Sequence, residues 1–221
     1  MFFEMNQQYA DTSNSPLQIP EDARTVALQD MATILRAPLF KTQSGRNRFP
    51  FRVASIKDFP EAGYLPTPER DILLSGDAEK AQRFALQPFD LLVITVGSIG
   101  HVTVVPSDCE ANWIPATNMY VVRFTDEEKR AQHARAVYAV LKSPGGQATL
   151  SGLARGRGIQ IVPKKVFARI QVPELADDIL SVTEHLWNRE AALYQESQNA
   201  LEAARAVFRG LEVPSREPIA G

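Results

Sequence analysis

From Glu174 to Arg209 the chain runs for 36 residues without a glycine or a proline. Leu175, Ile179, Val182, Leu186, Leu193, Leu201, Ala204 and Phe208 recur there at three- and four-residue steps. That spacing predicts a helix about 50 Å long with one narrow apolar seam and an acidic outer face. A domain drawn from the remainder of a 221-residue chain cannot bury so long a helix. The seam therefore calls for a partner helix, from a second copy or from another protein.

Upstream, the pattern is that of an α+β domain. Val26–Leu35 is apolar and fits a strand entering a helical turn, and Phe51–Phe59 alternates like a half-buried strand. Pro60–Ala85 reads as a connection with one helical turn. Phe89–Val105, FDLLVITVGSIGHVTVV, joins two β-branched runs at a Gly-Ser loop, and Met119–Phe124 supplies a further strand. Thr125–Glu128 has the form of a capping box ahead of a helix carrying Ala131, Ala134, Tyr138 and Leu141. Ser143-Pro144-Gly145-Gly146 stops that helix, a short helix reaches Leu150, and Ile159–Val172 returns to extended structure. The expected fold class is α+β: a mostly antiparallel β-sheet with short helices, then one long C-terminal α-helix. The expected boundaries are a loose arm at 1–22, a domain at 23–172, the helix at 173–210 and a tail at 211–221.

The net charge of −2 hides an uneven distribution. Lys41, Arg46, Arg48, Arg52 and Lys57 follow one another with no acid between them, and so do Lys142, Arg155, Arg157, Lys164, Lys165 and Arg169. Beyond residue 170, nine acids face four arginines. Two basic segments beside an acidic arm suit a phosphate backbone, with ordinary solvated surface as the alternative. The single cysteine, Cys109, excludes an internal disulfide framework. No apolar run approaches the ~20 residues of a membrane span, and the N-terminus lacks a signal-peptide pattern, so a cytoplasmic protein without membrane contact is expected.

Catalytic motifs do not fit. A Walker loop needs Lys and Ser or Thr at a helix start, whereas Gly100 leads into His101 and another β-branched run. Val96-Gly97-Ser98-Ile99-Gly100 has neither the spacing nor the following helix of a nucleophile elbow. The Gly-Ser loop is expected to be a tight strand-to-strand turn. His101, His133, His185 and Cys109 show no ligand spacing, so no metal site is expected. Glu127-Glu128-Lys129, with Asp108, is a poor match to a nuclease pattern.

The order of segments resembles the specificity subunits of type I restriction-modification systems. Ser55-Ile56-Lys57-Asp58 matches their Ile-Lys-Asp strand. Phe89-Asp90 through Gly100 matches the Gly-Asp segment that ends Ile-Gly, and Leu141 to Gln147 matches Leu-x-Ser-Pro-x-Gly-Gln. Two departures stand out: Pro88-Phe89 replaces the glycine before Asp90, and the proline-rich junction before the helix is reduced to Val172-Pro173-Glu174-Leu175. Family members usually carry two recognition domains and two helices, and this chain has one of each.

The resemblance implies a non-catalytic, sequence-specific DNA-binding subunit of a phage-defence complex. A separate adenine methyltransferase would use S-adenosylmethionine, this chain would hold no cofactor, and a restriction or translocase subunit would join them. A half-length subunit would dimerise through its helix, pair with another half, or serve a related methylation-based system. Double-stranded DNA would meet two loops. One carries Lys41, Gln43, Ser44, Arg46, Asn47 and Arg48; the other carries Arg155, Arg157 and Gln160, with Lys164 and Lys165 on phosphates and Ser98 and His101 on the glycine turn. An assembly adaptor without sequence readout remains the alternative.

Overall fold

The computed structural model describes residues 24–40, 49–74, 77–174, 176–177, 180–189, 193, 196 and 200. The chain divides into two units, residues 1–184 and 185–221. In the first, β1 (Thr25–Ala27) runs into a one-turn helix α1 (Leu28–Met31) and straight out into β2 (Ala32–Leu35). There follow β3 (Phe49–Ala54), a 3-10 turn (Ile56–Asp58), β4 (Asp71–Leu74), α2 (Ala78–Gln82), β5 (Leu91–Ile94), β6 (Val102–Val104), β7 (Trp113–Pro115) and β8 (Met119–Phe124). Helices α3 (Arg130–Lys142), α4 (Pro144–Leu153) and α5 (Lys164–Phe167) precede β9 (Gln171–Pro173). The α+β expectation is met.

Three sheets form. The largest has the order β2-β8-β5-β6 and is antiparallel throughout, with Ile94 opposite Met119 and Val93 opposite both Tyr120 and Val102. A second, β4-β3-β7, pairs β3 antiparallel with β4 but parallel with β7, and β1 pairs antiparallel with β9. All four residues of β5 are fully buried. An unbroken run of Leu, Leu, Val and Ile is what a strand covered on both faces requires. Leu92 and Ile94 enter one cluster with Leu65, Trp113, Met119 and Val121, while Phe51, Val53, Leu74, Ala81 and Ile114 form a second under β3.

Several local expectations need correction. The strand predicted through Phe59 ends at Ala54, because Asp58 accepts from both the backbone N–H and the hydroxyl of Ser55 (2.7 and 2.8 Å) and winds Ile56–Asp58 into a turn. Thr125 and Glu128 do not form a capping box. Thr125 donates its hydroxyl to the Met31 carbonyl, and Asp126 instead accepts from the N–H groups of Glu128 and Lys129. The connection from Pro60 contains a strand, β4, that its polar composition concealed. Lys164–Phe167 is a helical turn, not extended chain, because Pro163 at its N-cap fixes the entry angle.

Phe89 explains the missing glycine of the Gly-Asp segment. Its φ is +64°, the left-handed region that glycine adopts without cost and other residues rarely enter. Two contacts hold it there: its N–H donates to the Val105 carbonyl at 3.0 Å, and the Arg135 guanidinium lies 5.7 Å over its ring.

Residues 177, 180–189, 193, 196 and 200 are helical. Within the first unit, Leu180 is buried, Lys129 pairs with Asp177 at 2.6 Å, and Glu184 accepts from Arg135 and Gln132 at 2.7 and 3.1 Å. Those two bonds hold the Glu184 carboxyl below its ordinary range, Gln132 being the larger influence. Along the expected seam, Val182, Leu186 and Leu193 are exposed, while Leu175, Ile179, Leu201 and Phe208 lie outside the described residues. Among the described residues, no helix is long and apolar enough to cross a membrane.

Candidate nucleic-acid interface

The glycine loop is the turn of the β5–β6 hairpin, as its sequence implies. Gly97 and Gly100 have φ of +81° and +97°, which let the chain reverse within a few residues. Gly100 N–H closes the turn onto the Ile94 carbonyl, and Ile94 N–H donates to the His101 carbonyl. Ser98 and His101 end up exposed at this end of the sheet.

Gln147 then fixes the turn from behind. Ser143 caps α4 by accepting from Gly146 N–H at 3.1 Å, and this places Gln147 on the first turn. The Gln147 amide donates to the Gly100 carbonyl at 2.9 Å and to the Leu141 carbonyl at 2.7 Å. A side chain at Gly100 would run into Gln147, and one at Gly146 would strike the α3 backbone. The Leu-x-Ser-Pro-x-Gly-Gln run is thus a support for the hairpin turn.

The arginine-glycine loop is zipped to the same turn. Arg155 and Ile161 exchange backbone hydrogen bonds of 2.9 and 2.8 Å, closing residues 156–160 into a small loop. Gly97 N–H donates to the Gln160 carbonyl, Val96 bridges Ile161, and Val162 N–H donates to the Thr95 carbonyl. Tyr120 adds a bond from its hydroxyl to the Val162 carbonyl at 2.9 Å, and burial pushes its phenol up, keeping the proton for that bond. Gly156 has φ +118° and sits so close to the Ile159 carbonyl that a Cβ would collide with it.

Two segments some 60 residues apart in sequence therefore make one surface. Ser98, His101, Arg157 and Gln160 are exposed on it, and Lys164 and Lys165 follow on α5. Arg157, Lys164 and Lys165 make no side-chain hydrogen bond or ion pair among the described residues. Arg155 differs. One of its guanidinium nitrogens donates to the Gly152 and Ala154 carbonyls at 3.1 and 3.0 Å, so much of its reach is spent bracing the end of α4.

Other basic residues are also occupied. Arg52 reaches Asp71 and Glu110 at 3.7 Å each, and Lys142 donates to the Glu61 carbonyl. Lys41, Gln43, Ser44, Arg46, Asn47 and Arg48 lie outside the described residues. Glu127 and Lys129 of the poor nuclease match make surface ion pairs with Arg130 and Asp177. Among the described residues, no group of three His, Cys, Asp or Glu could hold a metal ion.

Sequence reasoning missed Arg36. It follows β2, and the β2–β8 register brings it to the same end of the sheet as the glycine turn. Its Nε donates to the Thr117 carbonyl at 3.0 Å, and its guanidinium lies 5.9 Å over the Tyr120 ring. Neighbouring Asn118 accepts at its carbonyl from the N–H groups of Thr95 and Val96. Arg36 belongs to neither basic segment, so only strand pairing identifies it.

Three small sheets, with the β5–β6 turn zipped to the loop before α5, define an α+β fold. No protein-family model and no curated protein sequence matches the chain. Solved structures do. The chain is similar to the S subunit of a type I restriction-modification system from M. genitalium, with a TM-score of 0.52 and 13% identity over 89% of this chain and 46% of that one. It is similar also to a chain from a structure of type I R-M complex assembly and conformational transition, with a TM-score of 0.52 and 18% identity over 92% and 49%. The chain spans about half the length of these chains, and at such identities the likeness establishes the fold alone, one similar to about half of a type I S subunit.

Proposed function

We propose that this chain is a sequence-specific DNA-recognition subunit that directs a separate adenine methyltransferase to its site. The observation that carries the reading is the pinned surface of the two loops. It presents Arg157, Lys164 and Lys165 beside Ser98, His101 and Gln160 on a fold shared with half of a type I S subunit. Cations without side-chain partners among the described residues suit phosphates, and polar groups on a fixed backbone suit base edges. Lys41, Gln43, Ser44, Arg46, Asn47 and Arg48 are proposed to add a second loop. The stretch 23–172 is then the recognition domain. The helix expected at 173–210 is proposed to start beyond Pro173, which closes β9, and the exposed Val182, Leu186 and Leu193 support its pairing with a second copy or another half-subunit. A symmetric pair would read a split palindrome. S-adenosylmethionine would reside in the methyltransferase, and a restriction or translocase subunit would complete the complex.

Selection from a random duplex library tests this, using the purified chain with and without a methyltransferase subunit encoded beside it. Enrichment of a split motif is the expected result. Arg157, Lys164 and Lys165 should together contribute about −3 to the slope of log affinity against log salt, with the Lys41–Arg48 loop adding to it. An assembled complex that enriches nothing would leave an assembly adaptor as the better reading.

A further inference from the structure

We infer that Ile159 is a base-contacting probe, an apolar side chain carried into the DNA duplex at the tip of the arginine-glycine loop. The inference rests on the DNA reading above and assigns a role that reading leaves open. A single exposed apolar residue is ordinary on a protein surface. This one is set apart by its mounting and its surroundings.

Ile159 is 69% exposed, and Ile161 beside it is 39% exposed. The loop that carries Ile159 is closed by the paired backbone bonds of Arg155 and Ile161, tied to the hairpin turn by Gly97 N–H, and rooted by fully buried Val162. Gly156 passes so near the Ile159 carbonyl that only glycine fits, so the tip is tightly folded. A pinned β-branched side chain has little conformational freedom left to lose when it is buried against a partner.

The charges around it choose the partner. Between Lys142 and Arg169 there is no acid, and the flanking side chains are Arg157, Gln160, Lys164 and Lys165, all exposed. Exposed cations and an amide close in sequence to an apolar tip complement a polyanion whose interior is apolar. Duplex DNA has that build: phosphates outside, stacked base faces and thymine methyl groups within the grooves. Apolar side chains flanked by Arg, Lys or Gln enter base steps or pack on thymine methyls.

The test uses the full chain with its methyltransferase subunit, a duplex enriched from the random library, and random-sequence duplex as reference. Ile159→Ala should weaken binding to the enriched duplex about tenfold, change random-sequence binding less than twofold, and leave the salt slope unchanged. Ile159→Leu should restore most of the loss. Thermal unfolding should match the parent, because the side chain supports nothing in the core. Two arms locate the contact. Uracil for thymine lowers affinity for the parent but not for Ile159→Ala if a methyl is touched, and 2-aminopurine fluorescence rises with the parent alone if a base step is opened.

Parent affinity and an unchanged motif in Ile159→Ala would overturn the inference while leaving the DNA reading intact. So would failure of that variant to co-elute with the methyltransferase, which would make Ile159 a protein contact. Absence of any enriched duplex for the parent protein would remove the DNA reading itself.

Discussion

The two ends of the β5–β6 hairpin use charge in opposite ways. At the foot, Asp90 is fully buried and takes two bonds from Arg123, at 2.9 and 2.7 Å, with a third from Gln87 N–H at 2.8 Å. Arg123 spends a further bond on the Ala85 carbonyl. Burial pushes the Asp90 carboxyl up, and Arg123 pulls against it. At the turn, Ser98, His101, Arg157 and Gln160 are exposed, while backbone bonds and the Gln147 amide hold the two loops in place. Charge at the foot organises the domain; charge at the turn is left for another molecule.

The largest effect that separates the ends is on stability. Arg123→Ala strands a buried carboxylate and is expected to cost about 3–5 kcal/mol in denaturant unfolding. Arg157→Ala should fall within about 0.5 kcal/mol of the parent in the same measurement. Its effect should instead be on DNA, reducing the salt slope by about one. Equal destabilisation by the two variants would erase the distinction.

Gln147→Ala sharpens it. The variant removes two bonds to carbonyls, one of them on the turn, and should cost about 1–2 kcal/mol. Because the turn loses its brace, sequence preference should weaken with stability, a coupling absent from Arg157→Ala. Selection profiles of the two variants on one library would show it.

Phe89 offers a smaller, signed effect. Alanine there keeps the strained backbone and loses the ring over Arg135; glycine loses only the ring. Phe89→Gly should therefore be more stable than Phe89→Ala by about 1 kcal/mol, the reverse of their usual order. The same order in both variants as at an ordinary helical site would show that the positive φ is not enforced.

The shallowest effect is with pH. His133 packs at a tilt against Phe124 at the foot end, 5.8 Å between ring centroids, and burial lowers its pKa, Asp126 opposing and Lys129 assisting. The unfolded chain then binds the proton more readily than the folded one. Stability should hold above the ordinary histidine value of about 6.5 and fall as acid is added below it. Glu184, held low by Gln132 and Arg135, adds a further loss at lower pH as its carboxylate is protonated. Replacing His133 with Gln should remove the first decline and keep the second.

Much of this molecule is legible in its residues. The runs of Phe89–Val105 announced the hairpin, the Gly-Ser-Ile-Gly turn announced the reversal, and Met119–Phe124 announced the strand beside it, since alternation and chain reversal are local properties. The capping box expected at Thr125–Glu128 does not form because the Met31 carbonyl, distant in sequence, takes the Thr125 hydroxyl, and α3 starts later, after Lys129. Strand β4 stayed hidden because its four residues take their strand state from pairing with β3.

The sequence by itself determined which residues carry charge, where the β5–β6 hairpin turns and that an acidic stretch follows a β-rich domain. Tertiary structure alone decided which charges are spent. Nothing local distinguishes Arg123, Arg155 and Arg157, yet one closes a buried pair, one braces a helix end and one faces outward. Partners for a side chain come from segments far along the chain, and only the packing that joins Thr95–His101 to Arg155–Val162 brings them within bonding distance.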